Sequence, residues 1–372
     1  MTAPESRRRL SKRSIALIAA GSALVLVAAG TAAAFALAPR DSPEAEVVET
    51  PAIETPVPVV TNEPVDRPTA PFSVDCDALV PSGFVAGTLG TGATHVATDD
   101  TISNLHDAYR VQTGAVGCSW SSGDAGATSR IAVILIPDAL SDFARLAGGD
   151  EFMEPRARDA FGDSSFHGCQ GFVLQGVTSF GCVADVLIGD TWASIGIAAP
   201  GNGEESVERL EVAASHLATA VRALTVTPSA WTPPVSPLTA EVMVDLDAAT
   251  VAASLGMTDA FPGGTDVDSV TGAMMHRTGF SIIDWTSPSD FRSVTVEALP
   301  GGAWAAAEFA RASDAVDVAG AEDASIRTLD DGRPQVCLAA RNAALCFVPS
   351  APTDRQAFVA QVAAFVASLP GA

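Results

Sequence analysis

The chain has 372 residues, with 44 acidic side chains against 21 lysines and arginines, a net charge of −23 and 6% aromatic residues. Such a balance repels phosphate backbones and anionic lipid headgroups, which argues against nucleic-acid binding. The length allows two folded units, each large enough for its own core, beside other segments.

Arg7, Arg8, Arg9, Lys12 and Arg13 precede a run over residues 15–38 that holds no charged side chain. At 1.5 Å per residue this run spans roughly 36 Å, enough for a slightly tilted membrane helix. It is longer than the apolar core of a usual signal peptide. Ala36-Leu37-Ala38 has the small-residue pattern of a cleavage site, yet Pro39 follows it directly. The expectation is an uncleaved single-pass anchor at 15–38 in the cell membrane. The basic tail 1–14 would stay cytosolic and the remainder would lie outside. A cleaved signal is the alternative.

Residues 39–72 carry prolines at 39, 43, 51, 56, 58, 64, 68 and 71. That composition cannot bury a core and favours extended conformations, a stalk reaching up to roughly 100 Å. Beyond position 39 there is no lysine, and 43 acidic residues face 16 arginines. A solvated acidic surface is the plain reading of that excess.

A first folded domain is expected over 73–227, a second proline-rich linker over 228–240 and a second domain over 241–372. The two domains read as copies. Val85-Ala86-Gly87-Thr88-Leu89-Gly90 matches Val251-Ala252-Ala253-Ser254-Leu255-Gly256. Cys118-Ser119-Trp120-Ser121 precedes an apolar strand at 131–136 that ends on Pro137; Ile283-Asp284-Trp285-Thr286 precedes one at 293–299 that ends on Pro300. Phe143-Ala144-Arg145 and Phe309-Ala310-Arg311 then mark a helix in each copy. Each copy opens on a short helix, near 77–89 and 246–255. Each closes on an amphipathic one, with Val207, Leu210, Ala214, Leu217, Val221 and Leu224 on one face in the first copy. Phe358, Val362, Phe365, Val366 and Leu369 do the same in the second, after Thr353 and Gln356 spaced as a capping box. Strands in the middle and helices at the ends predict an α+β fold: a tandem duplication of an antiparallel sheet with helices packed on one face, plus the N-terminal transmembrane helix.

All six cysteines follow the apolar run, as suits an oxidising compartment. Four lie in the first copy and two in the second, so each copy can pair internally. The economical scheme is Cys76–Cys118, Cys169–Cys182 and Cys337–Cys346, one of 15 connectivities open to six cysteines. The repeat alignment sets Cys76 on Val242 and Cys118 on Ile283, a bridge lost as a pair. The hairpins around Gly189-Asp190 and Arg341-Asn342 leave Cys182 matched to either Cys337 or Cys346. If these hairpins correspond, the two local bridges are not equivalent.

Gly162-Asp163-Ser164-Ser165 with His167 is the nearest approach to a nucleophile–base arrangement. The second copy has Ala321-Glu322-Asp323-Ala324-Ser325-Ile326 there, without a histidine, and no GxSxG elbow is present. A recurrent turn before a strand explains the stretch better. Gly263–Ser269, Asp99-Asp100 and Asp330-Asp331-Gly332 offer scattered carboxylates but no complete calcium loop. Histidines 95, 106, 167, 216 and 276 lack metal-motif spacing, and no phosphate-binding glycine loop occurs. No metal or cofactor is therefore expected. Trp120 and Trp285 occupy the same place in both copies. They read as core, or as a platform for a ligand.

The order Cys76-Asp77-Ala78-Leu79, a Leu-Gly helix end, then Cys118-Ser119-Trp120, with Gly162-Asp163 further on, resembles a group of actinobacterial cell-envelope domains. That group includes small lipoproteins and the extracellular sensor domains of membrane Ser/Thr kinases. The resemblance spans most of the first copy and, without its cysteines, most of the second. It lacks a lipid-bearing cysteine and has only 14 residues before the apolar run. It implies a surface-exposed, non-catalytic module that binds a ligand or partner. The leading expectation is a non-enzymatic envelope protein that binds a wall component, a small ligand or an envelope protein in the cleft between the domains. An accessory subunit of an envelope complex is one alternative function; an extracytoplasmic serine hydrolase using Ser164 or Ser165 with His167 is another.

Overall fold

The computed structural model describes residues 66–69, 74–97, 102–122, 129–146, 157–158, 160–174, 177–225, 231–264 and 269–370, all within one compact unit, Val60–Ala372. The basic tail, the apolar run 15–38 and most of the stalk lie outside the described residues. Among those described, no helix is long and apolar enough to cross a membrane.

The first half runs α1 (Cys76–Leu79), α2 (Ser82–Leu89), β1 (Thr94–Ala97), α3 (Leu105–Gln112), β2 (Val116–Ser121), β3 (Arg130–Ile136) and α4 (Leu140–Leu146). It continues with β4 (Ala157–Arg158), β5 (Ser164–Leu174), β6 (Val177–Ile188), β7 (Thr191–Pro200) and α5 (Gly203–Arg222). The second half repeats this order: α6 (Ala240–Val244), α7 (Ala248–Leu255), β8 (Phe261–Gly264), α8 (Val270–Thr278), β9 (Ser281–Ser287), β10 (Arg292–Pro300) and α9 (Ala303–Arg311). Then come β11 (Asp314–Ala315), β12 (Glu322–Thr328), β13 (Pro334–Ala340), β14 (Ala343–Pro349) and α10 (Arg355–Ser368). Each half holds a seven-stranded sheet, ordered β1-β2-β3-β7-β6-β5-β4 and β8-β9-β10-β14-β13-β12-β11. Every pairing is antiparallel. The class is α+β with two sheets of identical topology.

Local chemistry explains the boundaries. Asn104, Asn202, Thr239, Asp247 and Ser269 cap helices by accepting backbone N–H bonds. Gly256 and Gly279 end α7 and α8 in the left-handed conformation. At α10 the cap is Asp354, whose carboxylate accepts from Ala357 N, and not Thr353 of the expected box. Arg341 and Asn342 both have positive φ, 52° and 60°, the backbone of a tight two-residue hairpin between β13 and β14.

Strand alternation shows where each face points. Val336, Leu338, Leu345 and Phe347 join α10 residues Phe358, Val362 and Phe365 in one core. Cys337, Ala339, Ala344 and Cys346, on the opposite face, join Trp304 and Phe309 of α9 in another. The first half is built the same way, with Leu210, Ala214 and Leu217 of α5 on one face and Phe143 of α4 by Trp192 on the other. Helices on one face only is thus corrected to helices on both, because β13 and β14 are apolar on both sides and neither side can be left wet.

The inner layer is shared. Leu105, Tyr109 and Phe143 of the first half lie in one buried cluster with Met274, Phe280 and Trp304 of the second. Instead of the expected open cleft, a core joins the halves. Around it, Gln112 Nε2 donates to Pro300 O at 2.8 Å, and Arg277 Nη1 donates to Pro137 O at 2.6 Å. Gln112 and Arg277 stand at the same distance from the caps of α3 and α8. Pro137 and Pro300 likewise close β3 and β10, so the two bonds are reciprocal. Arg277 also pairs with Asp142 at 2.6 Å and donates to Asp138 O. Part of the linker is tied down too: Trp231 donates to Asp66 O, and Asn342 donates to Val235 O.

The three expected bridges, Cys76–Cys118, Cys169–Cys182 and Cys337–Cys346, are all present. The last two join directly paired residues, on β5–β6 and on β13–β14. Counting from the turn ends Ile188↔Thr191 and Ala340↔Ala343, the pair Asp185↔Ser194 takes the place of Cys337↔Cys346. The local bridges are therefore not equivalent. Cys118, paired with Val133, corresponds to Ile283, paired with Val296, as expected. Cys76 does not correspond to Val242: the caps Asp75 and Thr239 align it with Ala240, and buried Leu79 with buried Met243.

Candidate functional site

β12 and β13 place Ser325 opposite Cys337 and Arg327 opposite Gln335, all on the inner face of the second sheet. Phe309 of α9, followed by Ala312 and Ser313, forms one wall. Ile102 and Ser103, just ahead of α3 in the first half, form the other. They enclose a cavity of about 90 Å³ where the halves meet. Gln335 and Ser325 are buried, at 6% and 2% exposure. Arg327 is half-buried, and its Nε donates to Gln335 Oε1 at 2.6 Å. Among the described residues no carboxylate pairs with that guanidinium, although the chain as a whole is strongly acidic. A guanidinium fixed by a buried amide keeps its outer N–H groups available as a planar fork for a carboxylate. Ser103 is less free: its Oγ donates to Asp107 Oδ2 at 2.7 Å, which steadies the start of α3.

The serine–histidine stretch folds as a turn. Asp163 Oδ2 accepts from Gly189 N at 2.7 Å and ties β5 to the β6–β7 hairpin. Gly162 has φ +62°, and a Cβ there would run into Leu187 O, so the turn demands glycine. Ser165 is fully buried, and its Oγ accepts from the backbone N–H of Ala160 and Phe161. His167 is also buried; its ring meets Phe161 edge-on at 5.2 Å, and Nε2 lies 3.6 Å from Glu211. The carboxylate beside the histidine is thus Glu211 from α5, and Asp163 serves the turn.

Trp120 and Trp285 lie inside the two outer cores, at 3% and 0% exposure. The ligand-platform expectation is corrected for both, because no ring face is open to a partner. Trp120 stacks against the exposed His95 at 5.5 Å, its cross-strand neighbour. His216 Nε2 lies 3.2 Å from Ala78 O on the surface of α5. Asp331 accepts from Arg333 in a tight turn at Gly332. Asp99-Asp100 and the centre of the Gly263–Ser269 loop lie outside the described residues. No local pattern in the sequence marks Gln112 and Arg277, whose partners lie across the junction, or Arg327 and Gln335, which meet only when β12 and β13 pair. A lone arginine on a strand face otherwise inward-pointing was the one signal available.

No known protein family matches the chain, and no characterised relative does. A solved structure from Bacteroides thetaiotaomicron VPI-5482 is 9% identical, covers 69% of this chain and 83% of its own, and superposes with a TM-score of 0.23. So slight a likeness carries no argument about fold or function.

Proposed function

We infer that the chain is a non-catalytic, membrane-displayed protein of the cell envelope that captures a carboxylate-bearing ligand, such as the end of a wall peptide, in the cavity between its halves. The observation that carries this reading is Arg327, held by Gln335 at a half-enclosed cavity with no acidic partner among the described residues. The basic tail, the apolar run and the stalk composition support display outside the membrane, and three disulfides suit an oxidising compartment.

The pocket takes a terminal group and not a whole ligand, since 90 Å³ holds only a few non-hydrogen atoms. The rest of the ligand would lie along the junction. Calorimetric titration of the purified chain with short peptides ending in a free carboxylate tests this. Saturable binding is expected, lost on amidation of the ligand and weakened about ten- to a hundred-fold by Arg327→Ala, the worth of a charge-assisted bond. Binding unchanged in that variant, or equal for the amidated peptide, would sink the assignment.

A further inference from the structure

Cys76, Cys118 and His95 each present a metal-ligating atom, and the three atoms lie within 4.8 Å of one another. Their convergence follows from the fold. Cys118 on β2 pairs with Ala97 on β1, so His95, two residues before Ala97, stands diagonally across the ladder on the same face. α1 carries Cys76 onto that face and closes the bridge. Cys118 is buried, Cys76 half-buried and His95 exposed, so the cluster opens to solvent on the histidine side.

The second half serves as an internal control. At the places of Cys76, Cys118 and His95 it carries Ala240, Ile283 and Pro262, with the same strand order and a buried Trp285 where the first half has Trp120. The fold is thus completed without any of the three. Three soft or borderline ligands that gather in one half and vanish together from the other form a unit beyond what the scaffold requires.

We propose that Cys76, Cys118 and His95 form a redox-gated site for a thiophilic divalent ion such as zinc. In the oxidised chain the sulfurs are bonded to each other and cannot ligate. An external dithiol opens the gate: its thiolate attacks Sγ of Cys76, the S–S bond breaks, and Cys118 leaves as a thiolate that takes a proton. The second sulfur of the dithiol then displaces Cys76, which is protonated in turn. Two electrons and two protons pass to the cysteine pair, and the dithiol ends as a disulfide. Metal capture releases both thiol protons. Tetrahedral zinc with bonds of about 2.3 Å to sulfur and 2.0–2.1 Å to nitrogen needs ligand atoms roughly 3.5–3.8 Å apart, and the three atoms here lie within 4.8 Å of one another. Water fills the fourth position on the exposed side.

The test uses the metal-free chain after limited reduction with a phosphine, with an aliquot alkylated and mapped to identify the opened bridge. Cobalt is the probe. Expected is opening of Cys76–Cys118 first, then a thiolate-to-cobalt charge-transfer band and tetrahedral visible bands that saturate at one ion per chain. The oxidised chain shows neither. His95→Ala weakens binding at least about ten-fold, and the Cys76→Ser/Cys118→Ser double variant abolishes the bands. The proposal is overturned if another bridge opens first or if far-ultraviolet dichroism collapses on opening. It fails equally if no charge-transfer band forms in the reduced chain, or if the band survives unchanged in His95→Ala or in the double variant.

Discussion

Arg277 concentrates more of the junction than any other described side chain, because one guanidinium reaches Asp142, Pro137 O and Asp138 O. Arg277→Ala removes all three bonds and leaves the mostly buried Asp142 carboxylate with Arg145 alone, so a loss of about 2–4 kcal/mol is expected in urea unfolding. Arg277→Gln copies Gln112 on the matching helix and keeps the carbonyl bond; its loss should be smaller. Asp142 adds a pH term. Burial pushes its carboxyl up, but the hydrogen bond and charge of Arg277, then those of Arg145, outweigh burial and hold it below the usual carboxylate range. A depressed folded value means the contribution is complete above the unfolded pKa of about 3.9 and fades as pH falls through the lower folded one. Urea midpoints measured downward from pH 6 should therefore drop in acid below about pH 4, and Asp142→Asn should flatten that part of the curve. Cys118→Ser tests the bridge itself: the denatured chain is released from a closed loop spanning a separation of 42 residues, and the fold loses about 2–4 kcal/mol. An unchanged midpoint would show that the bridge is an addition to a core already complete.

Among the elements, those with strong local signals were readable in advance. α5 and α10 bury most of the faces that periodicity marks: Leu210, Leu217, Phe358 and Val362 are fully covered, whereas Val207, near the start of α5, is exposed because the core begins one turn further on. The strands ending just before Pro137 and at Pro300, and the hairpin at Arg341–Asn342, fall where proline and turn chemistry place them. α3 and α8 were not foreseen. Each is a short helix of eight or nine residues whose buried side reads as scattered apolar residues, Leu105, Ala108 and Tyr109 or Ala273, Met274 and Met275. Their caps, Asn104 and Ser269, were the available clue. They form because a shared core lies beneath them, and that partner is distant in the chain. The register of the later cysteines stayed open for a related reason. A strand pattern of period two does not say which neighbour a residue faces, and Cys182 and Cys337 sit on matching strands three positions apart. The same limit hid the site: the convergence of Arg327 with Ile102 is set by packing between halves.

A single buried cluster takes residues from both halves, so the two should unfold together as one cooperative body. A change on one side, such as Cys118→Ser, is therefore felt by both, where separate domains would have confined it. Cutting the chain between Thr225 and Trp231 tests the coupling. Co-expressed halves should co-purify as a non-covalent pair in sedimentation, while either half alone exposes Tyr109 and Phe143, or Met274 and Trp304, and aggregates or self-associates. Two halves that stay monomeric and soluble would show the shared core to be dispensable.

The reciprocal bonds of Gln112 to Pro300 and Arg277 to Pro137 have the form of a two-fold contact. Matching positions that reach matching carbonyls in both directions are the mark of an isologous contact, the kind two identical chains make across a two-fold axis. The present junction has the geometry that a homodimer of half-length chains would show across such an axis. One continuous chain is not held to that symmetry. A homodimer must place the same side chain at both positions, whereas this chain keeps a glutamine at one and an arginine at the other. The same freedom let one half hold Cys76, His95 and Cys118 while its twin kept Ala240, Pro262 and Ile283.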